Sequence, residues 1–412
     1  MSPARLAALA SRDMRGNRDL SLLAAGAGVS QFGNSLSLLV LVFWATPISP
    51  LLVAAILVAE LLPLVLGAPL AGALIDRLPN RRLLIIALLG QGVAIAAIAP
   101  LMGTPALVVA LVFVSGCGLA VAVPATSALV PHIAGEEEST RGYAMVGTAR
   151  SVGNIAGVTG GALLAGFFGH PAALLIDGMT FLVYALLLLF VRAERRPSGE
   201  HAARPSALAG IRHVRRDPVL FASIIGLAFF VGAVVVINVA DPAFVRFVLH
   251  GDELLLGAMQ ACWTVGILVG TRLVARLKTV PEVAYALAIT GITTGIAVLI
   301  PATFPVVVAA GIGWLIGGIS NGVDNVTMNA IVRLRTPEEM RGRAFAAVGS
   351  MVTGANLFGT AAAGGLLLVM GPRAVFALGG TGAVLSGVAC LVFVHRALKR
   401  ERSPAEAGLL SN

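Results

Sequence analysis

Apolar runs of about 18 or more residues recur along the whole chain, each long enough to cross a hydrocarbon layer roughly 30 Å thick. They lie at 20–44, 51–75, 83–102, 105–130, 143–168 and 171–191, then at 218–245, 253–276, 282–300, 304–331, 343–369 and 373–395. Only 12% of the residues are charged, whereas a soluble domain carries about 25%. A water-soluble fold could not clothe its surface with so few charges. The expectation is an all-α membrane protein of twelve transmembrane helices. The 48 glycines suit it, because small residues let helix backbones approach where lipid supplies no hydrophobic force between them.

The formal net charge of +9 would suit a nucleic-acid partner if the bases were clustered. They are instead dispersed among short loops and ends, so no nucleic acid is expected. All but Arg150, Arg246 and Arg373 of the 29 bases fall on one set of connections, beginning with Arg5, Arg12, Arg15 and Arg18 and ending with Arg396, Lys399, Arg400 and Arg402. The alternating connections carry Pro and Gly, as at Pro47/Pro50, Pro100/Pro105 and Gly371/Pro372. The positive-inside rule then puts both termini and the central loop in the cytoplasm, with an even number of spans. No cleaved signal sequence is expected, since the first apolar run is too long for one. Cys117, Cys262 and Cys390 are dispersed within apolar runs and read as packing residues.

The polar segment near the midpoint divides the chain into a cytoplasmic N-terminus 1–19, a six-helix bundle 20–191, a linker 192–217, a second bundle 218–396 and a tail 397–412. A short amphipathic helix is expected in the linker over 207–215. The halves echo each other. Asp19 and Asp217 open corresponding first spans, Gly72 matches Gly270, and Arg141-Gly142-Tyr143-Ala144 matches Arg341-Gly342-Arg343-Ala344. Two pseudo-symmetric bundles are therefore expected.

The connection between spans two and three reads Gly72-Ala73-Leu74-Ile75-Asp76-Arg77-Leu78-Pro79-Asn80-Arg81-Arg82. With two six-span halves and a basic central loop, it resembles the signature of the major facilitator superfamily. Pro79-Asn80 stands where a Gly is common, and the second copy, Gly270 to Lys278, lacks the Asp. Asp76 sits at a helix C-terminus, where the helix dipole disfavours a carboxylate. The resemblance implies a conformational latch from Gly72, Asp76, Arg77, Arg81 and Arg82 to Arg341, Gly342 and Arg343. The alternative is a solvated loop whose charges only set topology. Gly153, Gly157, Gly160 and Gly161 in span five resemble the glycine motif of superfamily antiporters, with Val158 in place of its usual Pro. Close helix packing explains the same spacing without antiport. Ser30-Gln31-Phe32-Gly33-Asn34-Ser35, the stretch from Pro124 to Pro131, and Arg341-Gly342-Arg343-Ala344-Phe345 are similar to bacterial exporters of macrolides, other drugs and siderophores. Relatives often carry an acid where Asn34 stands.

Ionisable groups inside spans are costly and are functional candidates for that reason. Glu60 leads them. It precedes Asp76 by sixteen positions (60 to 76), roughly 24 Å along a straight helix. A carboxyl in a poorly hydrated cavity is suited to reversible protonation, and Glu60 could equally touch a cationic substrate or be a hydrogen-bonded structural group. Asp324 and Arg150 lie at similar inner depths in opposite halves, so they could pair, or Asp324 could bond Asn321 or Asn325. Asn321, Asn325 and Asn329 share a helix face and should line a path, as should Gln31, Phe32 and Trp44 from span one unless Trp44 is an interfacial anchor, with Asn34 a further cavity candidate. Asp177 and Asp241 fall nearer the outer span ends and are expected to be wet, and His132 and His170 to be solvated.

The chain contains no phosphate-cradling loop, zinc-protease pattern or nucleophile elbow. An enzyme is not expected, nor is any cofactor or metal. The reading that results is a monomeric secondary-active exporter with an amphiphilic small molecule, protons and the lipid bilayer as partners. Uptake by symport or facilitation, and a lipid-handling or non-transporting protein on the same fold, are the alternatives.

Overall fold

A computed structural model describes residues 3–135, 138–193, 207–274, 277 and 279–409. Every secondary-structure element among them is helical: α1 (Pro3–Ala45), α2 (Pro50–Leu66), α3 (Ala68–Arg77), α4 (Asn80–Leu101), α5 (Pro105–Ala134), α6 (Ser139–Phe168) and α7 (His170–Phe190). After α8 (Ala207–Arg216) follow α9 (Pro218–Phe247), α10 (Glu253–Leu273), α11 (Val280–Thr303) and α12 (Val307–Arg335). The last element, Glu338–Leu409, passes through Gly371, which is non-helical at φ 74° and ψ 164°. Its arms, 338–370 and 372–409, are labelled α13 and α14. Glycine is favoured at Gly371 because a Cβ is strained in that region of backbone space.

Among the described residues, ten helices are long and apolar enough to cross a membrane, or eleven if α2 and α3 form one bent span. The element from Arg343 to Glu401 is counted once in that number. Large apolar side chains such as Ile86, Val93, Phe229 and Val308 are at least two-thirds exposed, as expected of surfaces that face lipid rather than water.

The expected span from 51 to 75 is broken. α2 and α3 meet at a bend of 56°. Pro69 has no N–H to offer the Val65 carbonyl, and the Gly67 amide closes α2 on the Pro63 carbonyl at 2.8 Å. The straight-helix depth expected for Glu60 does not hold through this bend. Two other differences lie at the ends: α1 is already helical at Pro3, and α14 runs on to Leu409.

The chain divides into two compact units, Met1–Glu200 and His201–Asn412. In the first, α1 packs on α6 and α7, α4 packs on α5 and α7, and α2 packs on α5. In the second, α9 packs on the α13–α14 element, α11 on that element and α12, and α10 on α12. Glycines mark the corresponding seams. A Cβ on Gly153 would strike the Gly28 carbonyl between α6 and α1, and one on Gly318 would strike the Trp263 carbonyl between α12 and α10. Gly92 and Gly178 let α4 meet α7, as Gly291 and Gly387 let α11 meet α14. The short linker helix α8 packs on the second unit, with Val214 buried in its core.

Candidate functional site

The first unit holds a polar recess of about 30 Å³ lined by residues of α1, α4, α5, α6 and α7. Ser30, Gln31 and Asn34 from α1, Gln91 from α4, Thr126 from α5, Arg150 from α6 and Tyr184 from α7 supply its polar groups. Two glycines make it possible. A Cβ on Gly26 would overlap the Tyr184 ring, and one on Gly118 would overlap the Gln91 side chain. Tyr184 and Thr126 share a hydroxyl–hydroxyl hydrogen bond at 3.2 Å. The Gln91 amide nitrogen donates to the Ala87 carbonyl at 3.3 Å, while its buried side-chain oxygen has no partner among the described residues. Arg150 is half-buried and makes no hydrogen bond or ion pair with a described residue of its own unit. Its charge lies within electrostatic range of Tyr184.

On the neighbouring seam, the Gln31 amide donates to Ser35 at 3.3 Å, and the Ser35 hydroxyl donates to Asn154 at 2.7 Å. The span-five glycines belong to the same contact. Cβ atoms on Gly157, Gly160 and Gly161 would meet, in turn, the Phe32 carbonyl, the Phe32 ring and the Leu36 Cα. That geometry makes Gly153, Gly157, Gly160 and Gly161 a track on which α6 lies against α1.

Glu60 stands on α2, half-buried, seven positions before the Gly67 break (60 to 67). Its carboxyl makes no hydrogen bond to a described residue and lies within electrostatic range of Asp177. Asp177 is not wet, contrary to its expected place near a span end: it is 0% exposed. Ser37 donates to one of its oxygens at 2.5 Å and Thr180 to the other at 3.1 Å. Gly33 provides the slot, since a Cβ there would occupy the place of the Asp177 carboxyl. Asp241 is also buried rather than wet, and the Gln260 amide donates to it at 3.4 Å. Distance from a span end misjudged both residues, because burial is set by the helix packed across from each.

In the second unit Asp324 is buried and accepts from the Thr290 hydroxyl at 3.3 Å. It does not bond Asn321 or Asn325, contrary to one of the expectations. The Asn325 amide nitrogen instead donates back to Asn321, and that of Asn329 donates to the Asn325 carbonyl. Asn325 and Asn329 are exposed and Asn321 is half-buried, so the three form an outer polar stripe with Asp324 turned inward. His132 is exposed near the end of α5, and His170 is half-buried with an interacting partner.

Around the signature loop, Asp76, Arg77 and Arg82 are exposed, and both Asp76 and Arg82 are engaged. Arg81 donates to the Val191 carbonyl and so caps the end of α7. Asn80 is buried; with its amide oriented to bond, its nitrogen donates to the Ile75 carbonyl at 2.8 Å and the Leu78 carbonyl at 3.1 Å. Arg341 donates to the Thr336 carbonyl at 3.3 Å and Arg343 to the Met340 sulfur at 3.4 Å. The surroundings of position 342, and residues 136 and 137 in the loop before the first Arg-Gly pair, lie outside what the structure describes.

Sequence reading missed Gln91, Thr126 and Tyr184. Gln91 carried a signal, as the lone polar side chain of the stretch 83–102; Thr126 shares its stretch with Ser115 and Ser127, and Tyr184 shares its stretch with Asp177 and Thr180, so neither stood out.

A family model described as Major Facilitator Superfamily matches residues 23–317 and 286–411. An uncharacterized MFS-type transporter of Bacillus subtilis (strain 168), YfiS, is 23% identical over 401 residues, covering 92% of this chain and 94% of its own. Among solved structures, the nucleoside transporter NupG is similar with a TM-score of 0.70 at 15% identity, over 91% of this chain and 98% of that one. A bacterial homologue of the iron transporter ferroportin in an inward-facing state gives 0.71 at 16% identity, over 92% and 98%. With the family model spanning nearly all of a helical chain built as two matching units, this protein belongs to the major facilitator superfamily of membrane transporters.

Proposed function

We propose that the protein exports amphiphilic small molecules in exchange for protons, its two units alternating access to a site near the middle of the membrane. Counting α2 with α3 as one span, and α13 and α14 separately, gives twelve spans, and the distribution of bases supports an orientation with both termini in the cytoplasm. The observation that carries the reading is Glu60. A carboxyl partway along an apolar helix with no hydrogen bond to a described residue is poorly explained as a structural tie. It is well suited to taking up and releasing a proton. Asp177, already held by two hydroxyls, is a second acid within electrostatic range, so a charge on either is felt by the other.

The latch follows from the same scheme. Asp76 at the end of α3 and Arg341 and Arg343 at the start of α13 belong to different units. A contact between them in one state, broken in the other, would give the rocking motion two discrete end points. The glycine track of α6 keeps α1 and α6 moving as one body.

The test is efflux of preloaded amphiphilic dyes, one cationic and one anionic, from pump-deficient cells carrying wild type or Glu60→Gln. Export that collapses with a protonophore and with the substitution supports the reading. Dye accumulation driven by the protein would instead identify an uptake system. Behaviour equal to empty vector for both dyes, with the protein verified in the membrane, would remove broad amphiphile export.

A further inference from the structure

We infer that the recess in the first unit binds the carboxylate end of an amphiphilic substrate, with Arg150 as its countercharge and Gln91 as acceptor for a neighbouring O–H or N–H of the same ligand. The inference rests on the transporter reading above and names the chemical class that its substrate site selects. Three independent features lead to it.

The first is an uncompensated cation. Arg150 lies in α6 among apolar helices and finds no carboxylate among the described residues of its unit. Glu60 and Asp177 are the acids inside that unit's spans. Asp177 spends its oxygens on Ser37 and Thr180, and Glu60 makes no bond to Arg150. A guanidinium kept inside a membrane domain without a partner is expensive to retain unless a ligand completes it. Its planar fork of donors matches a carboxylate in two-point fashion, which a lysine would not do.

The second is an acceptor without a donor. Gln91 is 1% exposed, lines the recess, and its side-chain oxygen has no hydrogen-bond partner among the described residues. Buried amide oxygens are normally satisfied, so this one is a candidate for a donor brought by a ligand. A bare carboxylate cannot provide that donor; a 2-hydroxy acid or an N-acyl amino acid can.

The third is that the site is built. Gly26 and Gly118 remove the atoms that would otherwise fill the positions of Tyr184 and Gln91, and the Tyr184–Thr126 hydrogen bond fixes one wall. The space, about 30 Å³, is on the order of one water's share of liquid volume, so it can seat only the tip of a polar group, and the side chains around it must give way for more. An apolar remainder must extend out of it, as an amphiphile requires.

The experiment uses the full-length protein in nanodiscs and a dansyl-labelled long-chain 2-hydroxy acid, with its methyl ester and its 2-deoxy acid as controls, read by fluorescence titration. Wild type should bind the acid at least about tenfold more tightly than the ester, the scale of one charge-assisted pair. Arg150→Gln should erase that difference, and Arg150→Lys should retain part of it. Gln91→Leu should leave the acid-to-ester ratio intact while abolishing the preference for the hydroxyl. Equal binding of acid and ester by wild type, no saturable binding of the acid, or an unchanged ratio in a monodisperse Arg150→Gln protein would each overturn the inference. If Arg150→Gln does not fold, the wild-type comparison of acid with ester decides alone. The export reading fails separately: selective acid binding without proton-dependent efflux would remove export and leave the site. Proton-driven efflux of cations with no acid preference would do the reverse.

Discussion

The two units share a packing scheme and differ in chemistry. In both, the first helix of the unit packs against the last two and the third against the fourth and sixth, and glycines stand at the seams. Within that common frame the first unit carries an arginine with no acid partner among that unit's described residues, a mid-helix glutamate with no hydrogen bond to a described residue, and a polar recess. The second carries Asp241 and Asp324, each accepting from a neighbouring side chain, and a stripe of asparagines bonded to one another. Even the matched aspartates are used differently. Asp19 receives the backbone amides of Arg192 and Ala193, so it ties the start of the membrane part of α1 to the end of α7. Asp217 caps α9 through the Leu220 amide and also holds Arg335, which in turn reaches Glu401 on α14. The two units thus share how their helices meet, while their buried polar side chains differ.

The sharpest break of this comparison is functional. Glu60→Gln should reduce proton-linked transport to the level of cells without the protein, whereas Asp324→Asn, which keeps a hydrogen-bond acceptor for Thr290, should leave measurable transport. Equal losses in both would mean that the two units divide the proton chemistry evenly. The packing half of the comparison predicts symmetry instead. Gly157→Ala and Gly318→Ala drive a methyl group into the Phe32 and Trp263 carbonyls respectively, and each should cost about 1–3 kcal/mol or more. Thermal denaturation in detergent should show losses of similar size; a neutral change at either would separate the seams.

Smaller effects sharpen the picture further. Asp177→Asn weakens two hydroxyl contacts between and within helices and should cost about 1 kcal/mol, read as a drop in thermal midpoint. The same variant removes an ionisable neighbour of Glu60, so the pH at which transport is half-maximal should move relative to wild type. An unmoved profile would mean that the two acids act independently. Least affected is Asp19→Ala, which frees two backbone amides at the end of α7 and should cost roughly 1 kcal/mol, measurable as faster hydrogen exchange at Arg192 and Ala193.

Much of the architecture was legible because a bilayer forces it. Spans such as 105–130 and 218–245 could be marked within a few residues, since continuous apolarity has few other meanings. The amphipathic linker helix was likewise readable from its basic and apolar alternation, and the structure places it at Ala207–Arg216. The break at Gly67 was not, although Pro63, Gly67 and Pro69 were in view, because hydropathy alone averages over a kink. Asp177 was misjudged for a different reason. Its burial depends on Gly33 of another helix, and no local pattern links the two. The recess was half legible: Gln31, Asn34 and Arg150 stood out by charge or motif, while Gln91 and Tyr184 depend for their positions on glycines of α5 and α1.

The most direct test of Glu60 as the proton carrier separates exchange from coupling. Purified wild type and Glu60→Gln would be reconstituted in proteoliposomes with whichever amphiphilic dye the wild type exports. Two rates would be measured: dye-for-dye exchange at equal pH, and dye movement driven by an imposed pH gradient. The account predicts that Glu60→Gln retains exchange and loses gradient-driven movement. Gradient-driven movement surviving in Glu60→Gln would contradict it, and so would loss of both rates in a correctly folded protein, which would make Glu60 a substrate or structural contact rather than the carrier.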